Sequence, residues 1–217
     1  RQRQMCIRDS DKGDVYNGTV LKERVHGDNT PSSQDLQTLY HNNGYLFARV
    51  DAVETKVVND SITVEIRINE DEIATIKKVT VIGNDKTNDH VIYRELRVKP
   101  GDLFSRAAII RSIREIGQLG FFDTNVTPDV KPDWQNKTAD IDFTVTEKGG
   151  SQIELQGGYG GGAFIGTLGL SFNNFAIRNI FKKDAYKPLP TGDGQKLSLR
   201  LQASRSYSTY SFSFTEP

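Results

Sequence analysis

The chain has 217 residues, 36% hydrophobic, 26% charged and 9% aromatic, with 28 basic and 28 acidic side chains, which excludes one long disordered tail. The neutral balance gives no uniform basic field, so nucleic acid is not expected as a partner. No run approaches the roughly 18 consecutive apolar residues of a membrane helix, whereas membrane barrel strands carry a much weaker signal and stay open.

Arg1 to Ser10 lacks the apolar centre of a signal peptide, and its run Met5-Cys6-Ile7-Arg8-Asp9-Ser10 reads as a foreign or artefactual junction. Cys6 is the single cysteine, so no internal disulfide or cysteine-based metal site is expected. The next stretch, 11–71, reads as a partial α/β module. A helix is expected around Ser33 to Asn42, ending at Gly44-Tyr45, then a hairpin in which Ile62, Val64, Ile66 and Ile68 alternate with polar residues.

Residues 72–149 read as a complete module of order β-α-α-β-β. Thr75 to Ile82 is a β-branched strand stopped by Gly83-Asn84-Asp85. Thr87, Asn88 and Asp89 are N-cap types ahead of Val91, Ile92 and Leu96, and Pro100-Gly101 breaks that run. A second helix starts at Ser105, carries Ile109, Ile113 and Ile116 as an apolar stripe, and stops at Gly120. Thr124 to Val130 reads as an edge strand because of Pro128 and Pro132. Its partner alternates Ala139, Ile141, Phe143 and Val145 with Asp140, Asp142, Thr144 and Thr146. The two modules are repeats, 76 residues apart at Gly44 and Gly120 and 79 apart at Ile62 and Ile141.

After Gly150 the material changes. Residues 151–217 hold 10 of the 20 aromatics and 9 of the 19 glycines, with only 4 acidic and 7 basic groups. Phe164, Gly166, Leu168, Leu170 and Phe172 alternate with Thr167, Gly169 and Ser171. Leu197, Leu199, Leu201 and Ala203 alternate with Lys196, Ser198, Arg200 and Gln202, and Tyr210, Phe212 and Phe214 with Thr209, Ser211, Ser213 and Thr215. Ile153 and Leu155 begin a shorter strand broken by glycine. Apolar on one side and polar on the other, these segments fit the first antiparallel strands of a transmembrane β-barrel, with the aromatics expected near strand ends. A soluble sandwich with one wet face is the alternative. The turn near Tyr207 is tight, and the connection Asn173 to Gly194, with Pro188, Pro190, Gly192 and Gly194, is long. The sequence stops in mid-pattern at Phe214-Thr215-Glu216-Pro217, so a fragment is expected, its remaining strands supplied by the parent protein.

Catalysis and a cofactor are not expected. Asp140 and Asp142 share a strand face without a nearby base or metal ligand, and a wet sheet face accounts for them. His26, His41 and His90 are scattered. Gly157 to Gly162 lacks the Gly-Lys-Ser/Thr ending of a phosphate loop.

Several motifs, over nearly all of the chain after residue 10, resemble the BamA family of outer-membrane insertases, in its Bacteroidetes-type form. They are Val81-Ile82-Gly83-Asn84, Arg94-Glu95-Leu96-Arg97, Pro100-Gly101-Asp102-Leu103-Phe104-Ser105, Leu119-Gly120-Phe121-Phe122 and Val145-Thr146-Glu147-Lys148. In the last third Gly157-Gly158-Tyr159-Gly160, Phe172-Asn173-Asn174-Phe175, Gly192-Asp193-Gly194-Gln195 and Ser211 to Pro217 join them. The resemblance implies that the modules are POTRA domains in the periplasm, the second being the last before a 16-stranded outer-membrane barrel of which four strands are present. It implies a protein that folds and inserts other barrel proteins without ATP, with unfolded outer-membrane proteins, periplasmic accessory lipoproteins and outer-membrane lipid as partners. A sister translocation or assembly protein with narrower substrates and a passive porin with a periplasmic adaptor are the alternatives.

The resemblance makes the first barrel strand, Gln152, Ile153, Glu154, Leu155, Gln156, Gly157, Gly158, Tyr159 and Gly160, the lateral gate that templates an incoming strand. Gly157, Gly158, Gly160, Gly161 and Gly162 are expected to hold that edge weakly. Arg94, Glu95 and Arg97, expected to project from a short helix, take the role of contacting a lipoprotein. The edge at Thr124, Asn125, Val126 and Thr127 is a candidate for adding a substrate strand. Phe164, Leu168, Leu170, Phe172, Leu197, Leu199, Leu201, Tyr210, Phe212 and Phe214 are expected to face lipid.

Overall fold

The computed structural model describes residues 15–27, 35–59, 61–183, 186 and 189–217. The expected junction at 1–10, the start of a helix at Ser33 and Pro188 of the long connection lie outside them.

The first module contains a helix that the sequence pattern does not announce, α1 (Gly18–His26), capped by the Asn17 side chain, which accepts from the Thr19 and Val20 N–H groups. Helix α2 (Leu36–Asn42) is capped by Asp35, whose Oδ1 accepts from Thr38 N–H at 2.8 Å. Gly44, at φ +95°, reverses the chain toward the antiparallel hairpin of β1 (Arg49–Val58) and β2 (Ser61–Asn69). Val25, Leu36 and Val50 form a small core to which Ile66 adds. Ile62 and Ile68, at the ends of the expected alternation, stay exposed among the described residues.

The second module holds the main core. Its sheet has the order β3 (Thr75–Ile82), β5 (Thr138–Thr144), β4 (Thr127–Asp133), with β3 parallel and β4 antiparallel to the central strand. Ala139, Ile141 and Phe143 of β5 are buried under α3 (Asp89–Tyr93) and α4 (Arg106–Gln118) together with Val91, Ile92, Ile109 and Ile116. Ser105 caps α4 by accepting from Ala108 N–H, and Gly120 leaves it at φ +83°. Beside β3, Ile76 N–H donates to the Asp102 carbonyl, and Gly101 and Phe104 N–H groups donate to those of Ile76 and Ala74. That outer side of β3 is therefore occupied at one end, and β4 forms the open edge. The wet face carries Asp142, whose carboxylate meets Lys131 at 2.6 Å; this ammonium holds the Asp142 carboxyl below the usual carboxylate range.

The modules are joined through shared packing. Phe47 of the first enters the core of the second and packs at a tilt against Trp134, with ring centroids 4.5 Å apart. Asn42 Oδ1 accepts from Ala107 N–H in the first turn of α4, and Arg106 donates to Thr38 Oγ1.

The last third is one antiparallel sheet of order β6 (Ser151–Gly160), β7 (Ala163–Phe175), β8 (Gln195–Ser204), β9 (Ser208–Thr215). The first of these strands is neither short nor broken: its register runs unbroken from Ser151 opposite Phe172 to Gly160 opposite Ala163. Gly161 and Gly162, at φ +58° and +79°, are the two-residue turn after it and not part of the edge. No helix among the described residues is long and apolar enough to cross a membrane, which says nothing of strands.

Candidate functional site

Directly opposed residues of an antiparallel pair share a face, so the registers sort the side chains of this sheet. Leu155 lies opposite Leu168, Leu168 opposite Leu201, and Leu201 opposite Tyr210. The next rows are Ile153-Leu170-Leu199-Phe212 and Phe172-Leu197-Phe214. Tyr159 pairs with Phe164 at the far end. Every residue expected to face lipid thus lies on one side, and the side is open: Leu155 is 77% exposed and Phe212 70%. Phe172 and Phe214 stand at one end and Tyr159 and Phe164 at the other, whereas Tyr210 and Phe212 sit in mid-strand, away from the expected ends.

The opposite side carries Gln152, Glu154, Gln156, Thr167, Ser171, Ser198, Arg200, Gln202, Ser211 and Ser213. Arg200 meets Glu154 at 3.2 Å, and the Ser171 and Ser198 hydroxyls are 3.4 Å apart.

Strand β6 is an edge of this sheet, and all ten of its residues are exposed. Gly157 and Gly166 oppose one another with no side chain between them; the Phe164 ring fills that gap, 3.3 Å and 3.8 Å from where their Cβ atoms would stand. Gly158 and Gly160 have nothing within 4 Å of a Cβ position. Three glycines in a peripheral strand leave its hold on β7 to backbone hydrogen bonds, with little side-chain packing at its far end.

The other sequence-derived sites fall differently. Only Thr127 of the expected augmentation edge belongs to a strand; Thr124, Asn125 and Val126 form the approach to it, and Val126 is turned into the core. The edge is Thr127–Asp133; ahead of it Phe122 forms an isolated antiparallel bridge with Glu147, and Asp123 N–H donates to the Thr146 carbonyl. Pro128 and Pro132 share strand parity with Val130, so that side of the backbone keeps one donor, which blunts pairing with another chain. Arg94, Glu95 and Arg97 do not project together from a helix, since α3 ends at Tyr93. Arg97 turns back to Glu115 of α4, with contacts at 2.8 and 3.0 Å. Arg94 pairs with Glu95 at 3.2 Å and donates to the Pro217 carbonyl.

That last contact belongs to a joint that local sequence patterns did not reveal. The end of the long connection, Gly192 to Gln195, docks on the start of α3. Asn88 N–H donates to the Gly192 carbonyl, and Asn88 Nδ2 donates to Asp193 Oδ1 at 2.8 Å. Asn174 donates to Thr87 Oγ1 and accepts from Gly194 N–H. Asp193 is buried, with Arg178 at 3.3 Å and His90 at 3.9 Å. Glu147 holds the Lys86 and Thr87 N–H groups from behind, and the Phe121 side chain lies against both Gly150 and Gly194. The long connection therefore sits at the module end of the sheet, and the tight turns Gly161-Gly162 and Arg205 to Tyr207 sit at the other. Among the described residues no group of three or more His, Cys, Asp and Glu side chains is placed to hold a metal.

Residues 74–148 match the POTRA family, described as a surface antigen variable number repeat. The outer membrane protein assembly factor BamA of Nitratidesulfovibrio vulgaris is 32% identical over 158 residues, 71% of this chain and 19% of its own length. A putative outer membrane protein assembly factor of Treponema pallidum is 29% identical over 152 residues, 69% of this chain and 18% of its own. BamA of Neorickettsia risticii is 26% identical over 204 residues, 94% and 24%. The crystal structure of BamA from Haemophilus ducreyi lacking POTRA domains 1–3 is alike with a TM-score of 0.71, over 98% of this chain and 36% of that one; at 18% identity this shows the fold alone. The chain spans about a fifth of the length of the curated relatives it matches, and the matches do not narrow it to a Bacteroidetes-type branch. With a POTRA module joined directly to barrel-type antiparallel strands, and with BamA assembly factors as its relatives, the chain belongs to the BamA family.

Proposed function

We propose that the protein carrying this chain works in the assembly of outer-membrane proteins, as a non-enzymatic insertase. In this reading β6 to β9 span the outer membrane, with the apolar face in lipid and the Glu154–Arg200 face in a wet interior, and the two helical modules stand in the periplasm. The observation that carries it is the two-sided sheet. An apolar face that leaves Leu155 and Phe212, in neighbouring rows, open to water is foreign to a soluble protein, whereas apolar-out and polar-in is what a membrane barrel requires.

Strand β6 is the templating edge. An unfolded barrel protein pairs with its outward N–H and C=O groups, so the incoming backbone is never left unpaired in hydrocarbon. Gly157, Gly158 and Gly160 let that edge part from a neighbour without repacking of side chains, and no nucleotide is needed because folding in lipid supplies the driving force. Contact with accessory lipoproteins is placed at Glu95, the least committed of the three charged residues at the end of α3.

Photo-crosslinkers at Gln152 and Gln156 of β6, with one at Gln202 of β8 as control, test the reading during insertion of a barrel substrate. Crosslinks to substrate from β6 alone are expected. Equal yields from all three positions would remove β6 from the mechanism, and steady ion conductance without any effect of depletion on other barrel proteins would favour a porin.

A further inference from the structure

The long connection carries a second feature, which meets the joint through Arg178. Its first part, Ile177 to Lys183, opens with a single 3-10 turn and contains Arg178, Lys182 and Lys183 without an acidic residue among them. Phe181 is 96% exposed, and Ile177 and Tyr186 are each 47% exposed. Neither Lys182 nor Lys183 has an acidic partner among the described residues. An exposed aromatic ring beside two lysines matches a surface that is apolar beneath and anionic above.

The side of the sheet on which this turn sits identifies the surface. Gln195 has the parity of Leu197, Leu199 and Leu201, so its side chain leaves β8 on the apolar face. It is 2% exposed, its Oε1 accepts from Ile177 N–H at 2.7 Å, and its Nε2 donates to Glu216 Oε2 at 2.6 Å. Glu216 in turn has the parity of Phe212 and Phe214. The turn is thereby fastened over the module end of the apolar face, continuous with the row Phe172-Leu197-Phe214 and next to the periplasmic modules.

We propose that Ile177 to Lys183 is a lipid anchor: Phe181 and Ile177 enter the periplasmic leaflet, and Lys182 and Lys183 bind the phosphates of anionic headgroups. Aromatic rings settle at the headgroup level, lysines extend their charge from an apolar stem to the phosphates, and a basic cluster at an anionic leaflet adds attraction. Arg178 is held back by Asp193, so the anchor is tied through that pair to the joint with α3. The inference rests on the proposed membrane placement of β6 to β9.

The test uses the complete protein in a cysteine-free background, reconstituted in vesicles of phosphatidylcholine with or without phosphatidylglycerol. Spin labels are placed at Phe181→Cys, at Phe212→Cys in mid-sheet and at Tyr93→Cys on α3, and their accessibility to oxygen and to a water-soluble nickel chelate is compared. The oxygen-to-nickel ratio at 181 is expected to be several-fold above that at 93 and below that at 212. Lys182→Glu with Lys183→Glu is expected to return label 181 toward water in anionic vesicles only, and millimolar inorganic phosphate is expected to leave it in place. A watery label at 181 with an immersed one at 212 overturns the anchor and leaves the membrane placement standing; watery labels at both overturn the two together. An immersed label indifferent to the lysine reversal overturns the headgroup contact, and displacement by phosphate assigns the lysines to a free anion and overturns it as well.

Discussion

Glu154 of β6 and Arg200 of β8 meet at 3.2 Å across the backbone of Gly169 of β7, which lies between them in the same row. The bridge exists because the intervening residue has no side chain: a Cβ at Gly169 would stand 3.2 Å from Glu154 Oε2 and 3.3 Å from Glu154 Cβ. A glycine in mid-strand thus ties the edge strand to its second neighbour on the wet side, while Phe164 covers the glycines on the apolar side.

Gly169→Val is accordingly expected to displace Glu154 and release the bridge. Both partners are about half exposed, so a double-mutant cycle of Glu154→Gln and Arg200→Gln should give a coupling of about 0.2–1 kcal/mol, and in the Gly169→Val background the coupling should vanish. Amide exchange along β6 should quicken in the same variant. A coupling unchanged by the valine would show that the pair does not depend on the glycine.

The joint predicts a different kind of failure. Gly194 has φ +71°, and a Cβ there would lie 2.9 Å from Val91 Cγ1 and 3.2 Å from Arg94 Nη2. Gly194→Ala is expected to cost the docked arrangement about 1–3 kcal/mol, seen as faster protease cleavage at the Gly149-Gly150 link with the melting of the second module little changed. Gly83→Ala is the contrast. Its Cβ would fall 2.1 Å from the Val145 carbonyl oxygen within the module, so there the melting itself should drop.

Ser112 interrupts the apolar stripe of α4, and the structure gives the reason. The fully buried hydroxyl donates to the Ala108 carbonyl at 2.9 Å and accepts from Arg97 N–H at 2.8 Å. Ser112→Ala keeps the helix but leaves that N–H without an acceptor, for a loss of about 1–3 kcal/mol read as a lower urea midpoint. The Arg97–Glu115 pair on the surface should matter less, since Arg97 is largely exposed.

What the sequence disclosed and what it withheld divide along the range of the interactions. Alternation in β5, β7, β8 and β9, the Ser105 cap and the reversals at Gly44 and Gly120 are local, and all are present. Strand β6 is longer than its sequence suggests because glycine lowers strand propensity, whereas the partner ladder with β7 decides its length. Helix α1 shows no apolar stripe in the sequence because its only buried residue is Val25. The joint was beyond reach for another reason: Asn88 and Asp193 are 105 positions apart, and nothing in the spacing of either segment announces the other. Arg94, expected to project from a short helix toward a lipoprotein, touches the end of the sheet for the same reason.

His41 gives the contact between the modules a pH dependence of definite sign. Its ring lies edge-on to Phe104 at 6.3 Å. Burial, reinforced by the Arg106 guanidinium and partly offset by the Asp35 carboxylate, holds the imidazole below the usual histidine range. As pH falls past the unfolded value of about 6.5 the unfolded chain takes up the proton first, so stability declines until the folded imidazole is also protonated. Asp71, bound by Lys137, and Asp142, bound by Lys131, are shifted down as well; their contributions are present above about pH 4 and are lost as pH falls further through their folded values, in a separate window. Thermal melts of the two-module segment within the intact protein, taken between about pH 7.5 and 5, should therefore fall in wild type and stay flatter in His41→Asn. Parallel profiles would place the titration elsewhere. A steeper fall in Arg106→Gln would contradict the sign, because removing that cation relieves the protonated ring.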